Sequence, residues 1–173
     1  MRLLAPLAAL LMATSASCAM AQDATAQDAT APETASEQNV VRHGRPGALL
    51  LESVEVGPGA RYLYIGGHAA ALLDPEDPSK GYGDTRTQTF STLGKIKTAL
   101  ERRGFAMSDL IKLTIYVVAD PATGQADYAG VNAAYREFFL TEENPNTVSR
   151  TAIEIKAIQV PALLVEIEGV AAR

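Results

Sequence analysis

Two runs of strictly alternating polar and apolar residues near the C-terminus constrain the fold more than any other part of the chain. The first run covers 149–158 and the second covers 163–168, with Pro161 between them. Because proline cannot donate to a β-ladder, this pattern predicts two strands that form an antiparallel hairpin around a short turn. One face of the hairpin would carry Arg150 on the first strand and, on the second, Glu166 and the glutamate two residues later.

The charges on that face allow two interpretations. Charged side chains on a strand are most often solvated, and a cross-strand ion pair of that kind contributes well under about 1 kcal/mol. Alternatively, Arg150 and Glu166 belong to a binding or catalytic site. Alternation alone does not choose between the two.

The chain before this hairpin shows strand and helix patterns in turn. The predicted elements are a short edge strand at 40–42, strands at 49–56 and 61–67 around a tight turn at 57–60, a helix at 85–103, a strand at 109–118 and a helix at 127–140. The residues expected to face the core are Phe90, Leu93, Ile96 and Leu100 in the first helix and Tyr128, Val131, Tyr135 and Phe138 in the second.

The order of these elements, β-β-α-β-α-β-β, predicts an α+β fold in which two helices pack on one face of a mixed sheet. With 173 residues the chain has room for one domain with a sizeable core. The uncovered face of the sheet would leave apolar residues from 49–56 to bury, which favours an oligomer.

The first 21 residues have the form of a secretory signal peptide. Arg2 precedes an apolar stretch at 3–13, and Ala-Met-Ala at 19–21 has the small-x-small pattern of a cleavage site. The apolar stretch is too short for a membrane anchor, so we expect an exported, periplasmic protein that begins at Gln22 and is free of the membrane after cleavage. Lipid attachment at Cys18 is the alternative, although the preceding residues fit a lipoprotein box poorly.

Residues 22–38 repeat a Gln-Asp-Ala-Thr-Ala unit and have no apolar period, which predicts a disordered acidic linker before a domain at 39–173. The formal net charge is −5, and four acidic residues lie in this linker. The domain is therefore only slightly acidic. This argues against a nucleic-acid partner, because binding to phosphates depends on clustered cations.

The residue types that support several common chemistries are missing or isolated. After signal cleavage the chain has no cysteine, and hence neither a disulfide nor a thiol nucleophile. The two histidines, His43 and His68, belong to no group with metal-ligand spacing, and no serine is marked as a nucleophile beside them. We therefore expect neither a metal nor a cofactor.

Five motifs in the same order resemble those of the Rid (reactive intermediate deaminase) family, also called the YjgF family. They are Leu-Tyr-Ile-Gly-Gly at 63–67, Thr-Gln-Thr at 87–89, Val-Asn-x-x-Tyr-x-x-Phe-Phe at 131–139, the Asn-Pro-Asn-Thr-Val-Ser-Arg-Thr strand entry at 144–151, and Val-Glu-Ile-Glu at 165–168. The resemblance runs from about residue 40 to residue 173. It implies a chorismate-mutase-like fold that assembles into a homotrimer with the sheets inside. Members are often labelled endoribonucleases, and the charge of this domain gives that label no support.

The resemblance also implies an activity, the hydrolysis of reactive enamines and 2-imino acids to 2-keto acids and ammonia in clefts between subunits. Arg150 would hold the substrate carboxylate, because a planar guanidinium meets a carboxylate with two parallel hydrogen bonds. Glu166 would hold or deprotonate the attacking water. Asn132 would lie near the site, with a bond to its own helix backbone as the alternative.

Several positions around this site depart from the family pattern. Gly66 stands where the family has serine, Leu50 where it has tyrosine, and Ala152 where it has cysteine. These changes enlarge the pocket and make it more apolar, so we expect a bulkier or more apolar 2-imino acid than the smallest one. Gly66 and Gly67 end a strand without side chains, which suits either a bend or the close approach of a ligand. His68, where the family often has glutamine, would border the pocket.

A non-catalytic module of the same trimeric fold is the alternative function. The loss of polar side chains at Gly66, Leu50 and Ala152, together with the export signal, favours a module that binds a carboxylated metabolite or shields unfolded proteins.

Overall fold

The structure is a computed structural model that describes residues 39–173. The signal peptide predicted at 1–21 and the linker predicted at 22–38 lie outside these residues. Within the described part, no helix has the length and apolar character that crossing a bilayer requires.

The described chain contains six β-strands and two α-helices. In chain order they are β1 (Val40–His43), β2 (Ser53–Val56), β3 (Tyr62–Ala69), α1 (Thr85–Glu101), β4 (Leu110–Val118), α2 (Tyr128–Tyr135), β5 (Ser149–Ile155) and β6 (Val165–Ala172). The two helices pack on a mixed sheet, which confirms the predicted α+β class. The edge strand predicted at 40–42 is β1, and it comes before the seven elements of the predicted order.

The main sheet has the strand order β3-β6-β4-β5. β4 runs antiparallel to β6 and parallel to β5, so it lies between the two strands that were expected to pair with each other. The predicted hairpin of β5 and β6 is therefore wrong. Alternation fixes the side on which each residue of a strand lies, but it does not identify the neighbouring strand. The segment that contains α2 provides the long crossover that the parallel pair of β4 and β5 requires.

The hairpin predicted around the turn at 57–60 is also wrong. β2 pairs with β1 in a separate two-stranded sheet, whereas β3 pairs with β6 in the main sheet. Gly57 still donates its N–H to Asn39 beside β1. Arg61 then exchanges backbone hydrogen bonds with Arg173 beside β6. The turn therefore connects two sheets, and the apolar residues before it are not on the uncovered face of the main sheet.

The core lies between the helices and the main sheet. Its fully buried side chains include Leu93, Ile96 and Leu100 of α1, Val131 and Tyr135 of α2, and Leu113, Ile115 and Val117 of β4. Asp84 caps the start of α1, and Gly104 follows its end with a φ of 72°. Two residues predicted to face the core are instead exposed, Phe90 by 49 % and Tyr128 by 39 %. The rings of Phe90 and Phe138 pack together with centroids 5.2 Å apart.

The first half of α1 buries polar side chains where Phe90 was expected. These are Thr85, Gln88, Thr89 and Thr92. Gln88 donates from Nε2 to the carbonyl oxygens of Gly83 and Ala162, at 2.9 and 3.1 Å. Its Oε1 accepts from the N–H of Leu164 at 2.7 Å. The Gln88 side chain therefore fastens the start of α1 to the chain that enters β6.

We expect the substitution Gln88→Leu to lower the free energy of unfolding by about 3 kcal/mol, because it removes three hydrogen bonds and leaves the buried N–H of Leu164 without its partner. Urea denaturation followed by circular dichroism measures this change. Glu101→Gln, at the exposed end of α1, is the control and should change the stability by less than about 0.5 kcal/mol. A loss below about 1 kcal/mol for Gln88→Leu would show that other groups satisfy these bonds.

The side of the main sheet opposite the helices is here called the open face, and no described helix covers it. By strand register its side chains are Tyr62 and Tyr64 of β3, Glu166, Glu168 and Val170 of β6, Lys112, Thr114 and Tyr116 of β4, and Thr151, Ile153 and Ile155 of β5. Tyr64 is 77 % exposed and Ile153 is 48 % exposed. Large apolar groups gathered on one exposed face indicate a contact surface.

Candidate active site

Arg150 lies near the start of β5, on the helix-covered side of the sheet and opposite Leu113. Its guanidinium carbon lies 4.5 Å from the centroid of the Tyr135 ring. Its Nη2 donates to Oδ1 of Asn132 at 2.6 Å. Both partners belong to α2, so the helix holds the cation by an aromatic face and by a hydrogen bond.

The Arg150 guanidinium is partly buried and lacks a counterion among the described residues. No carboxylate from 39–173 lies within salt-bridge distance of it. Nε and Nη1 are buried and have no hydrogen-bond partner in that part of the chain. Burial lowers the pKa of Arg150 from its ordinary value, and the nearby Tyr135 acts in the opposite direction. A buried, unpaired cation is unfavourable in a structural role, and it is expected where an anionic ligand binds.

The free N–H groups of Arg150 retain a complete fork for a carboxylate. A guanidinium has five N–H bonds, and two adjacent nitrogens can bind the two oxygens of one carboxylate. Nη2 carries two hydrogens and gives one of them to Asn132. The other hydrogen of Nη2 is parallel either to the N–H of Nε or to one N–H of Nη1. Both of those nitrogens lack partners. In either orientation, one parallel pair of donors has no partner among the described residues.

The Asn132 side chain bonds to Arg150 and not to its own helix backbone, which was the alternative for this residue. Ala152 lies two residues after Arg150 on the same side of β5 and packs against the core. Leu50 lies in the segment 49–51, which is hydrogen-bonded to the chain just before β5. Arg150, Asn132, Tyr135, Ala152 and the segment 49–51 are here called the arginine half-site.

Glu166 lies on the open face of β6, opposite Tyr116 on β4 and Ala69 on β3. The ladder between β3 and β6 shifts register between Ile65 and His68, so Gly66 and Gly67 form a β-bulge. A Cβ on Gly67 would overlap Oε1 of Glu166 and lie 3.0 Å from its Cδ. The Glu166 carboxyl group thus occupies the space beside the Gly67 backbone, and a side chain at position 67 would displace it.

Gly66 has open space around the position of a Cβ, with no atom within 4 Å. His68 follows the bulge and is opposite Ile167, so it lies on the helix-covered side. Its Nδ1 is 2.8 Å from the carbonyl oxygen of Gly66. His68 therefore braces the bulge from the other side of the sheet and does not lie beside the Glu166 carboxyl group.

Tyr116 and Glu168 are two polar residues near Glu166 that were not predicted as site residues. The Tyr116 hydroxyl donates to Oε1 of Glu168 at 3.1 Å. This hydrogen bond, together with desolvation and the charges of Glu168 and Glu166, raises the pKa of the Tyr116 phenol. The alternation in β4 indicated that Tyr116 lies on the polar side of this strand. It could not indicate which residues surround Tyr116, because these depend on the strand order. Glu166, Gly66, Gly67, Tyr116 and Glu168 are here called the glutamate half-site.

The prediction that Arg150 and Glu166 share one face is wrong for a single chain. Arg150 is opposite Leu113 on the helix-covered side, whereas Glu166 is opposite Tyr116 on the open face. Their strands, β5 and β6, lie on either side of β4. Their partners on β4, Leu113 and Tyr116, are three residues apart along that strand. These offsets amount to about 10 Å in each direction, so one chain does not bring the two half-sites together.

The described residues contain no group of three or more histidine, cysteine, aspartate or glutamate side chains that could hold a metal ion. What they offer is a partly buried guanidinium without a counterion in one half-site and the Glu166 carboxylate on the open face in the other.

Comparison with known proteins identifies the family of this chain. Residues 55–173 match the family described as Endoribonuclease L-PSP. The chain belongs to this family, which includes the Rid/YjgF proteins. A RutC family protein of Pyrococcus horikoshii is 33 % identical over 110 residues, which cover 64 % of this chain and 78 % of that protein. The 2-iminobutanoate/2-iminopropanoate deaminase of Salmonella typhimurium is 32 % identical over 101 residues, with 57 % and 73 % covered.

Solved structures of the Endoribonuclease L-PSP family share the fold. The Rid family protein YyfB of Yersinia pestis superimposes with a TM-score of 0.60 and 26 % sequence identity. The match covers 78 % of this chain and 99 % of that protein. The arrangement of two helices on a mixed sheet is therefore the Rid/YjgF fold.

Proposed function

We propose that this family member hydrolyses 2-imino acids and their enamine tautomers to 2-keto acids and ammonia. The observation that carries the proposal is Arg150, a buried cation with a free donor fork and no counterion among the described residues. Such a group suits a small ligand with one carboxylate. Relatives named 2-iminobutanoate/2-iminopropanoate deaminase support the reaction class.

The proposed reaction needs orientation and one activated water. The imine carbon is already electrophilic, and Arg150 fixes its position through the neighbouring carboxylate. Glu166 accepts a proton from water as the oxygen bonds to that carbon. The proton then passes to the nitrogen, which gives an adduct with one hydroxyl and one amino group on the same carbon. The hydroxyl proton moves to the amino nitrogen, again through Glu166, as the carbonyl forms and the carbon–nitrogen bond breaks, so that ammonia leaves a 2-keto acid. The reaction consumes only water, so it requires no cofactor.

The proposed site is completed between two copies of the chain. Arg150 and Glu166 lie on opposite sides of one sheet, so a shared substrate needs an arginine half-site from one subunit and a glutamate half-site from a neighbour. The apolar groups of the open face, led by Tyr64 and Ile153, provide a surface for such an assembly. We propose a closed homotrimer, in which each subunit contributes one half-site to each of two sites.

The departures from the family pattern favour a larger substrate side chain. Gly66 leaves open space where the family has serine, Ala152 is small, and Leu50 is apolar. The proposed substrates are therefore 2-imino acids with branched or longer aliphatic side chains, formed from the corresponding amino acids.

The test of this function uses an amino-acid oxidase to generate 2-imino acids from alanine, 2-aminobutanoate and leucine in the presence of semicarbazide. We expect the wild-type protein to reduce the rate of semicarbazone formation, most strongly with leucine. No effect with any of the amino acids would support the second candidate, a non-catalytic module that binds a carboxylated metabolite. The replacement of the usual polar shell at Leu50 and Ala152 is the observation that favours that candidate.

We also propose that the protein is exported to the periplasm after cleavage before Gln22, and that it does not bind nucleic acid. The small-residue pattern at 19–21 and the slight acidity of the domain support these proposals. Mass spectrometry of the mature N-terminus separates cleavage at this position from acylation at Cys18. An uncleaved chain in the cell extract would contradict export.

A further inference from the structure

We propose that Tyr135 is the positioning residue of the arginine half-site. Its ring supports the Arg150 guanidinium, and its hydroxyl fixes the segment 49–51 that carries Leu50. One side chain thereby sets the distance between the group that binds the substrate carboxylate and the wall that meets the substrate side chain. The catalytic consequence of this inference rests on the proposed deaminase function, whereas its structural part does not.

The ring of Tyr135 has a fixed position. Tyr135 is the last residue of α2 and is fully buried. Its ring stacks on that of Phe139, with centroids 4.3 Å apart and planes inclined by 19°. The Arg150 guanidinium carbon lies over the Tyr135 ring at 4.5 Å. Because the ring is immobilised by packing, the cation that rests on it is held in one place.

The hydroxyl of Tyr135 belongs to a chain of hydrogen bonds whose direction can be assigned. Thr147 has one hydroxyl hydrogen, and it donates this hydrogen to the carbonyl oxygen of Leu49 at 2.6 Å. In the 2.7 Å contact between the Tyr135 and Thr147 hydroxyls, Tyr135 must therefore be the donor. The Tyr135 oxygen in turn accepts from the N–H of Val148 at 3.3 Å. The chain runs from Val148 through Tyr135 and Thr147 to Leu49.

This chain of hydrogen bonds is buried and leaves neither hydroxyl without a partner. Thr147 is 6 % exposed, and Val148 is fully buried. Burial raises the pKa of Tyr135, while its hydrogen bonds and the Arg150 charge lower it to a smaller extent. The phenol thus keeps its proton at neutral pH and acts as a hydrogen-bond donor, not as a base. Low local polarity strengthens such a chain.

The segment that carries Leu50 is held on both sides of that residue. Before it, the carbonyl of Leu49 is bonded to Thr147. After it, the N–H of Leu51 donates to the carbonyl of Val148 at 3.0 Å. Loss of the Thr147 hydroxyl removes the first of these bonds, and loss of the Tyr135 hydroxyl leaves the Thr147 hydroxyl without the donor that fixes its position. In either case Leu50 should move relative to Arg150.

Two substitutions interrupt the chain at different links. Tyr135→Phe removes the phenol hydroxyl and keeps the ring under Arg150, and Thr147→Val removes the next hydroxyl. In each variant we expect amide hydrogen exchange at Leu51 to accelerate about tenfold, because the loss of a hydroxyl from the chain loosens the segment that carries this N–H. The ratio of kcat/KM between leucine-derived and alanine-derived imino acids should change about tenfold in each. The double variant should change no further, because both residues act in one chain.

The matched control is Thr92→Val, which removes another buried hydroxyl that donates to a backbone carbonyl, that of Gln88 at 2.7 Å. We expect a similar loss of stability in this control, with unchanged Leu51 exchange and unchanged substrate ratio. A further variant, Tyr135→Leu, loses the ring as well and should raise KM for every imino acid.

Unchanged Leu51 exchange in both Tyr135→Phe and Thr147→Val, or additive effects in the double variant, would overturn the inference. The inference would also be overturned if Thr92→Val changed the ratio of kcat/KM between the two imino acids as strongly as Tyr135→Phe and Thr147→Val do. If the wild-type protein hydrolyses no imino acid, the proposed function fails, but exchange at Leu51 still decides whether Tyr135 holds the segment 49–51.

Discussion

Replacing Arg150 with methionine should reduce kcat/KM for 2-imino acids by about 10²–10⁴-fold and leave the protein as stable as before or more stable. The first effect follows from the loss of two charge-assisted hydrogen bonds to the substrate carboxylate, each contributing about 1.5–3 kcal/mol. The second follows from the buried charge, which has no counterion among the described residues and lacks partners at Nε and Nη1. An apolar side chain of similar length removes that unfavourable burial.

The measurements are the semicarbazide assay and thermal unfolding. Arg86→Met is the matched control, since Arg86 is an exposed arginine whose Nη2 bonds to Glu137 at 2.8 Å. We expect this control to keep full activity and to lose at most about 1 kcal/mol of stability. An active Arg150→Met protein would rule out carboxylate capture by Arg150. A large fall in Tm for the same protein would indicate a structural role for Arg150 and remove the main support for the site.

Arg150→Lys provides a finer test of the same interaction. Lysine keeps the positive charge but cannot present two parallel N–H donors or stack its planar group on the Tyr135 ring. We therefore expect activity much closer to that of the methionine variant than to that of the wild type.

The sequence predicts the faces of the strands well and the neighbours of the strands poorly. The alternation in β4 correctly separates Leu113, Ile115 and Val117, which are fully buried, from the polar residues between them. A strand exposes its two faces with a period of two, whatever its partner is. Which strand lies next to it depends on contacts between residues far apart in the chain. Periodicity contains no information about those contacts, which is why both predicted hairpins are wrong.

The same limitation explains the error about the candidate site. Whether Arg150 and Glu166 share a face depends on the register of each strand against β4, and a shift by one residue moves a side chain to the other face. The residue identities pointed to both half-sites. Only the structure shows that they are on opposite sides of one sheet, with Arg150 opposite Leu113 and Glu166 opposite Tyr116.

The Tyr135 interactions show a second kind of missing information. The helical spacing correctly predicts that Tyr135 is buried, but it gives no reason to expect a role beyond packing. Its role depends on Thr147 and Leu49, which lie 12 and 86 residues away from it in sequence. In α1, helical spacing likewise favoured Phe90 over Gln88 as a core residue. Gln88 is buried because its amide satisfies backbone groups on the chain that enters β6.

Co-expression of two inactive variants should restore activity if the two half-sites come from different subunits. A subunit with Arg150→Met still supplies an intact glutamate half-site, and a subunit with Glu166→Gln still supplies an intact arginine half-site. When equal amounts of the two assemble at random, about one quarter of the sites combine the two intact halves. A trimer that contains both variants has one such site in three, so we expect co-expressed variants purified through both tags to recover about a third of the wild-type activity, although each variant alone is inactive.

The measurement compares co-expressed variants, carrying different affinity tags and purified through both, with the same two proteins mixed after separate purification. Mixing without subunit exchange should give no recovery, which controls for simple addition of residual activities. As a second control, a double variant that carries both substitutions is co-expressed with the wild type. Its activity shows how much is expected when active and inactive subunits form one assembly. If Arg150 and Glu166 of one chain served the same substrate, every site in the complemented oligomer would lack one of them. Absence of recovery in a correctly assembled hybrid would therefore contradict the intersubunit site, because the opposite positions of the two residues on the sheet leave only a neighbouring copy to bring them together.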